Sequence, residues 1–157
     1  PWTSHILDSG QISFFIPNKK SRVLDMGTGA GFPGLVLAIM GYKNISLIDS
    51  KEKKINFIKT ISNKLNLKVE ILLGRIEKLS NKKYDYLVSR ALAKLNILFT
   101  YSQNFLNKDS VLIFLKGKTV IEEIIEAKKK WKFEYNLEQS LSDKRGKIII
   151  IKNLKKI

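Results

Sequence analysis

The residues with the most chemical content stand close together. Asp25, Gly27, Gly29, Gly31 and Phe32 fall in one run, DMGTGAGFPG, and Asp49 and Ser50 follow a second apolar stretch. Glycines at alternate positions permit positive backbone angles and remove the Cβ atoms that would hold a ligand away from the main chain. Such a turn suits a nucleotide-type cofactor. A carboxylate in the position of Asp49, closing the apolar residues 45–48, can accept hydrogen bonds from both hydroxyls of an adenosine ribose. S-adenosylmethionine and NAD(P) share that requirement, and Gly29, Gly31 and Gly34 also satisfy the G-x-G-x-x-G spacing of dinucleotide folds. The register separates the two. Asp25 stands between the apolar run and the first glycine, whereas a dinucleotide strand runs directly into its first glycine. The reading is therefore S-adenosylmethionine, leaving as S-adenosylhomocysteine, with an NAD(P)-binding reductase as the alternative.

Further candidates follow later apolar runs. Ile76 can flank an adenine and its amide can bond the ring edge, with Glu77 beside it. Arg90 is one of four arginines in a chain whose cations are otherwise lysine. A guanidinium serves where planar, bidentate contact to phosphate, carboxylate or a base edge is needed. Its structural alternative is a salt bridge to Asp85 or Glu77. Arg75 and Lys116 carry the same two readings, so Arg90, Arg75 and Lys116 are the candidates for orienting a substrate. Phe32 packs either beside the cofactor or in the core. His5, the only histidine, reads as a hydrogen-bonded structural group with no catalytic role. Cysteine is absent, which removes thiolate nucleophiles and with them pyrimidine C5 methylation through a covalent adduct.

Positioning these residues requires alternating strands and helices. Residues 23–25, 45–49, 69–73, 84–88 and 111–115 read as strands; 35–40, 50–65, 95–106 and 120–126 read as helices, with Glu122, Glu123 and Glu126 on a wet face. Residues 132–137 and 147–151 form a closing strand pair, joined by a polar, mobile connection. Residues 3–16 read as a helix bent near Gly10 and ended before Pro17. This alternation demands a doubly wound, mainly parallel sheet with its ligand at the carboxyl ends of the strands. Every candidate above except His5 falls at such an end.

The 157 residues make one domain. The net charge is +15, from 29 Lys and Arg against 14 Asp and Glu, the footprint of a partner built of phosphates. Lysine, isoleucine and asparagine abundance is also what an AT-rich genome imposes on any protein, so charge alone does not name the partner. No apolar run is long enough to span a bilayer. Neither a membrane nor a metal is expected as a partner, and a cysteine-free chain fits the cytoplasm.

Taken together the motifs resemble the bacterial 16S ribosomal RNA guanine-N7 methyltransferases, also called glucose-inhibited division protein B. The likeness rests on His5-Ile6-Leu7-Asp8-Ser9, the DMGTGAGFPG turn, Leu47-Ile48-Asp49-Ser50, Gly74-Arg75-Ile76-Glu77, Val88-Ser89-Arg90-Ala91, Lys116-Gly117 and Arg145 ahead of residues 148–152. It implies a Rossmann-like class I methyltransferase over residues 1–157 with a C-terminal antiparallel strand pair. It implies that Gly27, Phe32, Asp49, Ser50, Ile76, Glu77 and Arg90 contact S-adenosylmethionine or shape its pocket, and the turn itself adds Asp25, Gly29 and Gly31 to the cofactor-binding candidates. The implied substrate is a guanine near the decoding site, in the 530 loop, presented by 16S rRNA or the small ribosomal subunit to a monomeric enzyme. Family members carry further helices before the HxxDS segment, so residues 1–17 are expected to be a shortened helical segment. A methyltransferase for a small molecule or protein is the alternative within the same fold.

Overall fold

The computed structural model describes residues 2–27, 32–79, 82–90 and 93–157, and only the backbone of Trp2 and Glu77. In chain order the elements are α1 (Trp2–Ser13), β1 (Arg22–Met26), α2 (Gly34–Ile39), β2 (Asn44–Asp49), α3 (Glu52–Lys64), β3 (Val69–Leu73), β4 (Tyr84–Arg90), α4 (Leu95–Ser102), β5 (Leu106–Lys116), α5 (Val120–Lys128), β6 (Trp131–Gln139) and β7 (Lys147–Lys156). Among the described residues, seven strands form one sheet in the order β3-β2-β1-β4-β5-β7-β6. Strands β1 to β5 are parallel, β7 runs antiparallel to β5, and β6 antiparallel to β7. The doubly wound sheet with its closing antiparallel pair is the architecture that the sequence predicts.

The central strands are apolar without alternation because both faces of the sheet are covered. Val23, Leu47, Val88 and Ile113 join one core with Ile12 of α1, Leu37 of α2 and Ile58 of α3. Leu24, Leu87 and Phe114 join the other with Leu98, Phe99 and Ile124. There Phe99 meets the rings of Trp131 and Phe133 edge-on, at centroid distances of 5.6 and 5.0 Å. The order reverses between β1 and β4, the switch point beside which doubly wound sheets take their ligands, beyond the carboxyl ends of the strands.

Four sequence expectations change. Helix α1 runs unbroken through Gly10; that glycine faces open space, while Ile12 and Ser9 on either side are fully buried. Burial of the flanking turns outweighs the roughly 1 kcal/mol that an interior glycine costs. The connection 140–146, expected to be mobile, is tethered to α1: Gln11 Nε2 donates to the Gln139 carbonyl at 2.7 Å, the Leu141 amide donates to Gln11 Oε1 at 2.9 Å, and Ser142 donates to Asp8. Helix α4 stops at Ser102, followed by a 3₁₀ turn, Gln103–Phe105. Finally Glu123 is not on the wet face. It forms a 2.7 Å ion pair with Lys116, both side chains less than a tenth exposed.

Candidate active site at the ends of the parallel strands

The turn after β1 is shaped from below by Asp25. Its side chain is fully buried, and Oδ2 accepts the Gly34 amide at 2.7 Å, so the carboxylate ties β1 to the first residue of α2. Gly34 has no room for more: a Cβ there would lie 2.1 Å from Leu47 Cδ2 and 2.9 Å from Asp25 Oδ2. Gly27 has φ +69°, a left-handed conformation that costs a glycine nothing. Its amide donates to the Ile48 carbonyl at 2.9 Å. Gly29, Gly31 and Ala91 lie outside the described residues, as does the side chain of Glu77.

Gly27, Asp49, Ser50 and Ile76 line one cavity of about 440 Å³, within the roughly 300–1,000 Å³ of small-ligand sites. Parallel register brings them together, with Met26 opposite Ile48 and Asp49 opposite Leu73. Asp49 is 8% exposed, and its Oδ1 accepts the Lys51 amide at 3.0 Å. Lys51 and Tyr101, which the sequence does not single out, also line this cavity, as does Lys54 of the segment behind Asp49-Ser50. Tyr101 comes from α4, where helical spacing marks it only as a member of an apolar helix. Arg75 lines the cavity as well, which places it beside Asp49 rather than with the other two candidates for orienting a substrate.

Phe32 is 7% exposed and its ring lies 4.9 Å from that of His5. It also borders an apolar groove lined by residues of α1, α2 and α3. Arg90 is exposed at the end of β4. Its guanidinium Nη1 donates to His5 Nε2 at 3.1 Å, and no carboxylate pairs with it among the described residues. Asp85 is not its partner, and the side chain of Glu77, the other acid expected to pair with it, lies outside the described residues. Lys116 departs furthest from expectation. Its Nζ is spent on Glu123 at 2.7 Å and the Ala93 carbonyl at 2.8 Å, so it braces the strand ends from inside and offers no charge to a substrate.

His5 is the hydrogen-bonded group that its isolation suggests, and its partner gives it a pH signature. Burial, then the Arg90 charge, holds its pKa below the ordinary 6.5, against a smaller opposing effect of Asp8. Nε2 can accept from Arg90 only while the ring is neutral. Below about pH 6.5 the unfolded chain takes up a proton that the folded chain resists, so stability falls as pH falls through that window. Thermal unfolding from pH 8 to 5 should show this acid-side loss in the parent protein. In His5→Phe, which keeps a ring against Phe32, the loss should shrink.

A family model described as GidB, rRNA small subunit methyltransferase G, matches residues 2–153. The chain belongs to this family. It is 42% identical over 156 residues to the ribosomal RNA small subunit methyltransferase G of Rickettsia prowazekii (strain Madrid E), covering 99% of this chain and 81% of that one. The counterpart from Rickettsia felis is 41% identical, with 99% and 80% covered. Among solved structures, the PH0226 protein of Pyrococcus horikoshii OT3 superposes with a TM-score of 0.79 at 17% identity, over 98% of this chain and 91% of that one. The glycopeptide N-methyltransferase MtfA, complexed with sinefungin, gives 0.77 at 7% identity, over 94% and 93%. At these identities the superpositions speak for the fold of the GidB-family chain and for nothing finer.

Proposed function

We propose that this GidB-family protein transfers a methyl group from S-adenosylmethionine to N7 of a guanine near the decoding site of 16S rRNA, in the 530 loop. The observation that carries the reading is the family match across residues 2–153, coinciding with a cavity that the same chain closes with Gly27, Asp49 and Ile76. The donor set fits this cofactor. Asp49 offers a carboxylate for two ribose hydroxyls, Ile76 an apolar flank for adenine, and Gly27 a main chain that can be approached closely. When bound, S-adenosylmethionine supplies a methyl group on a positively charged sulfur.

The protein's own part is positional. Guanine N7 has a lone pair and carries no proton, so its attack on the methyl carbon needs neither a general base nor a covalent nucleophile. That agrees with a cysteine-free chain whose one histidine is engaged with Arg90. The barrier falls by holding the two reacting atoms in line at close range. Arg90, held by His5 and paired with no carboxylate among the described residues, would engage an RNA phosphate or the guanine O6 edge.

Arg90→Ala should lower kcat/KM for small-subunit RNA about a hundredfold, as misplacement of a reacting group does, while Arg90→Lys recovers little because the planar fork is lost. A parental rate in Arg90→Ala would remove Arg90 from this role. The reading as a whole is tested by incubating the protein with labelled S-adenosylmethionine and small subunits lacking the modification. Label in 16S rRNA supports it. Preferential binding of NADH, or label confined to protein or to a small molecule, would favour the alternatives.

A further inference from the structure

The end of the sheet opposite the cavity carries charge that the methyl-transfer site does not use. At the amino ends of β1, β2 and β3, Arg22, Lys43 and Lys68 surround a recess of about 350 Å³, which Lys82 borders beside β4. Parallel register puts them at one level, since Arg22 lies opposite Asn44 and Ile45 opposite Val69. The recess has a polar wall. Tyr84 Oη donates to Ser46 Oγ at 3.1 Å, Ser46 Oγ to Glu70 Oε1 at 2.9 Å, and Lys82 Nζ to Glu70 Oε2 at 2.7 Å.

Lys82 thus neutralises Glu70, the one acid lining the recess. Arg22, Lys43 and Lys68 are left without a carboxylate partner among the described residues. The nearby Asp85 is engaged by main chain, accepting the Arg22 amide at 2.8 Å. The Arg22 guanidinium lies over the Tyr84 ring, 5.5 Å from its centroid. A guanidinium fixed by its face keeps its N–H edge for a phosphate. Unpaired cations converging on one recess repel each other, and an anion between them relieves that repulsion.

We propose that this recess is a second rRNA contact that seats a backbone phosphate at the end of the sheet opposite the methyl-transfer rim. The proposal rests on the rRNA reading above and extends it. The five residues of β1 separate the two ends by roughly 17 Å, so a folded RNA reaches both, whereas a short hairpin carrying the target guanine reaches only the rim.

The test measures binding of 16S rRNA across a salt series, with S-adenosylhomocysteine binding as the control for an intact cofactor site. In Arg22→Gln/Lys43→Gln/Lys68→Gln the slope of log affinity against log salt should become shallower by about one, the loss of one phosphate contact, and affinity near 0.1 M salt should fall about tenfold. S-adenosylhomocysteine affinity should stay parental. Lys43→Gln/Lys68→Gln, which leaves the Arg22–Tyr84 packing untouched, should show about half the change in slope. Equal charge removed at Lys132, Lys155 and Lys156, on the strand pair at the far edge of the sheet, should change the slope much less. A parental slope in the triple variant, or an equal loss in the far-edge control, would overturn the second contact while leaving the rRNA reading in place. Absence of rRNA binding by the parent protein would overturn both.

Discussion

Lys116→Ala should lose about 3–5 kcal/mol of folding free energy, the cost of removing one partner from a buried ion pair. The reason is what remains. Glu123 would keep its charge with its side chain 9% exposed and no ammonium at 2.7 Å. The same carboxylate also accepts the Leu95 amide at 3.1 Å and the Thr119 hydroxyl at 2.9 Å, so the junction of β5 with the starts of α4 and α5 would loosen together. Urea unfolding measures this directly. Lys116→Met/Glu123→Gln, which removes both charges and retains hydrogen-bonding atoms at 123, should recover more than half of the loss. If Lys116 instead oriented the RNA, Lys116→Ala would unfold at parental urea concentration and lose activity alone.

Asp49→Ala should weaken S-adenosylhomocysteine binding about a hundredfold, equivalent to about 2.7 kcal/mol, as expected for losing two hydrogen bonds to a charged acceptor. Asp49 also accepts the Lys51 amide at 3.0 Å, so part of any effect belongs to the start of α3. Asp49→Asn separates the two contributions: it keeps an acceptor for that amide but gives up the charge and one of the two acceptor oxygens. It should stay within about 1 kcal/mol of parental stability and still bind the cofactor at least tenfold more weakly. Calorimetric titration and thermal unfolding on the same preparations check both halves. Parental affinity in Asp49→Ala would remove this carboxylate from the cofactor site.

The inner parallel strands were readable because their middles are apolar runs buried on both faces, and even the half-buried edge strand β3 (Val69–Leu73) begins and ends where the sequence places it. Family membership was readable for a different reason: a turn such as DMGTGAGFPG combines steric demands that few residue types meet. Boundaries failed where polar residues join a strand. Strand β5 starts at Leu106, not Val111, because the polar residues 107–110 form an irregularity in its pairing with β4. There Ser110 Oγ donates to the Tyr84 carbonyl at 2.6 Å and accepts the Asn107 amide at 2.9 Å, a side-chain solution that no periodicity signals. The roles of charged residues were least readable. Lys116 and Arg90 both end a strand, and only the fold reveals that one faces Glu123 while the other faces His5.

The most direct test of the central claim is the position of the transferred methyl group. Small subunits methylated by this protein are extracted, and their 16S rRNA is treated with borohydride and then aniline, which cleaves the chain at N7-methylguanine. The expected result is one new cleavage, at a single guanine of the 530 loop, absent from subunits incubated without the protein. Labelled RNA that resists cleavage, with the methyl group on an exocyclic nitrogen or a ribose oxygen, would contradict an account in which N7 attacks without a base.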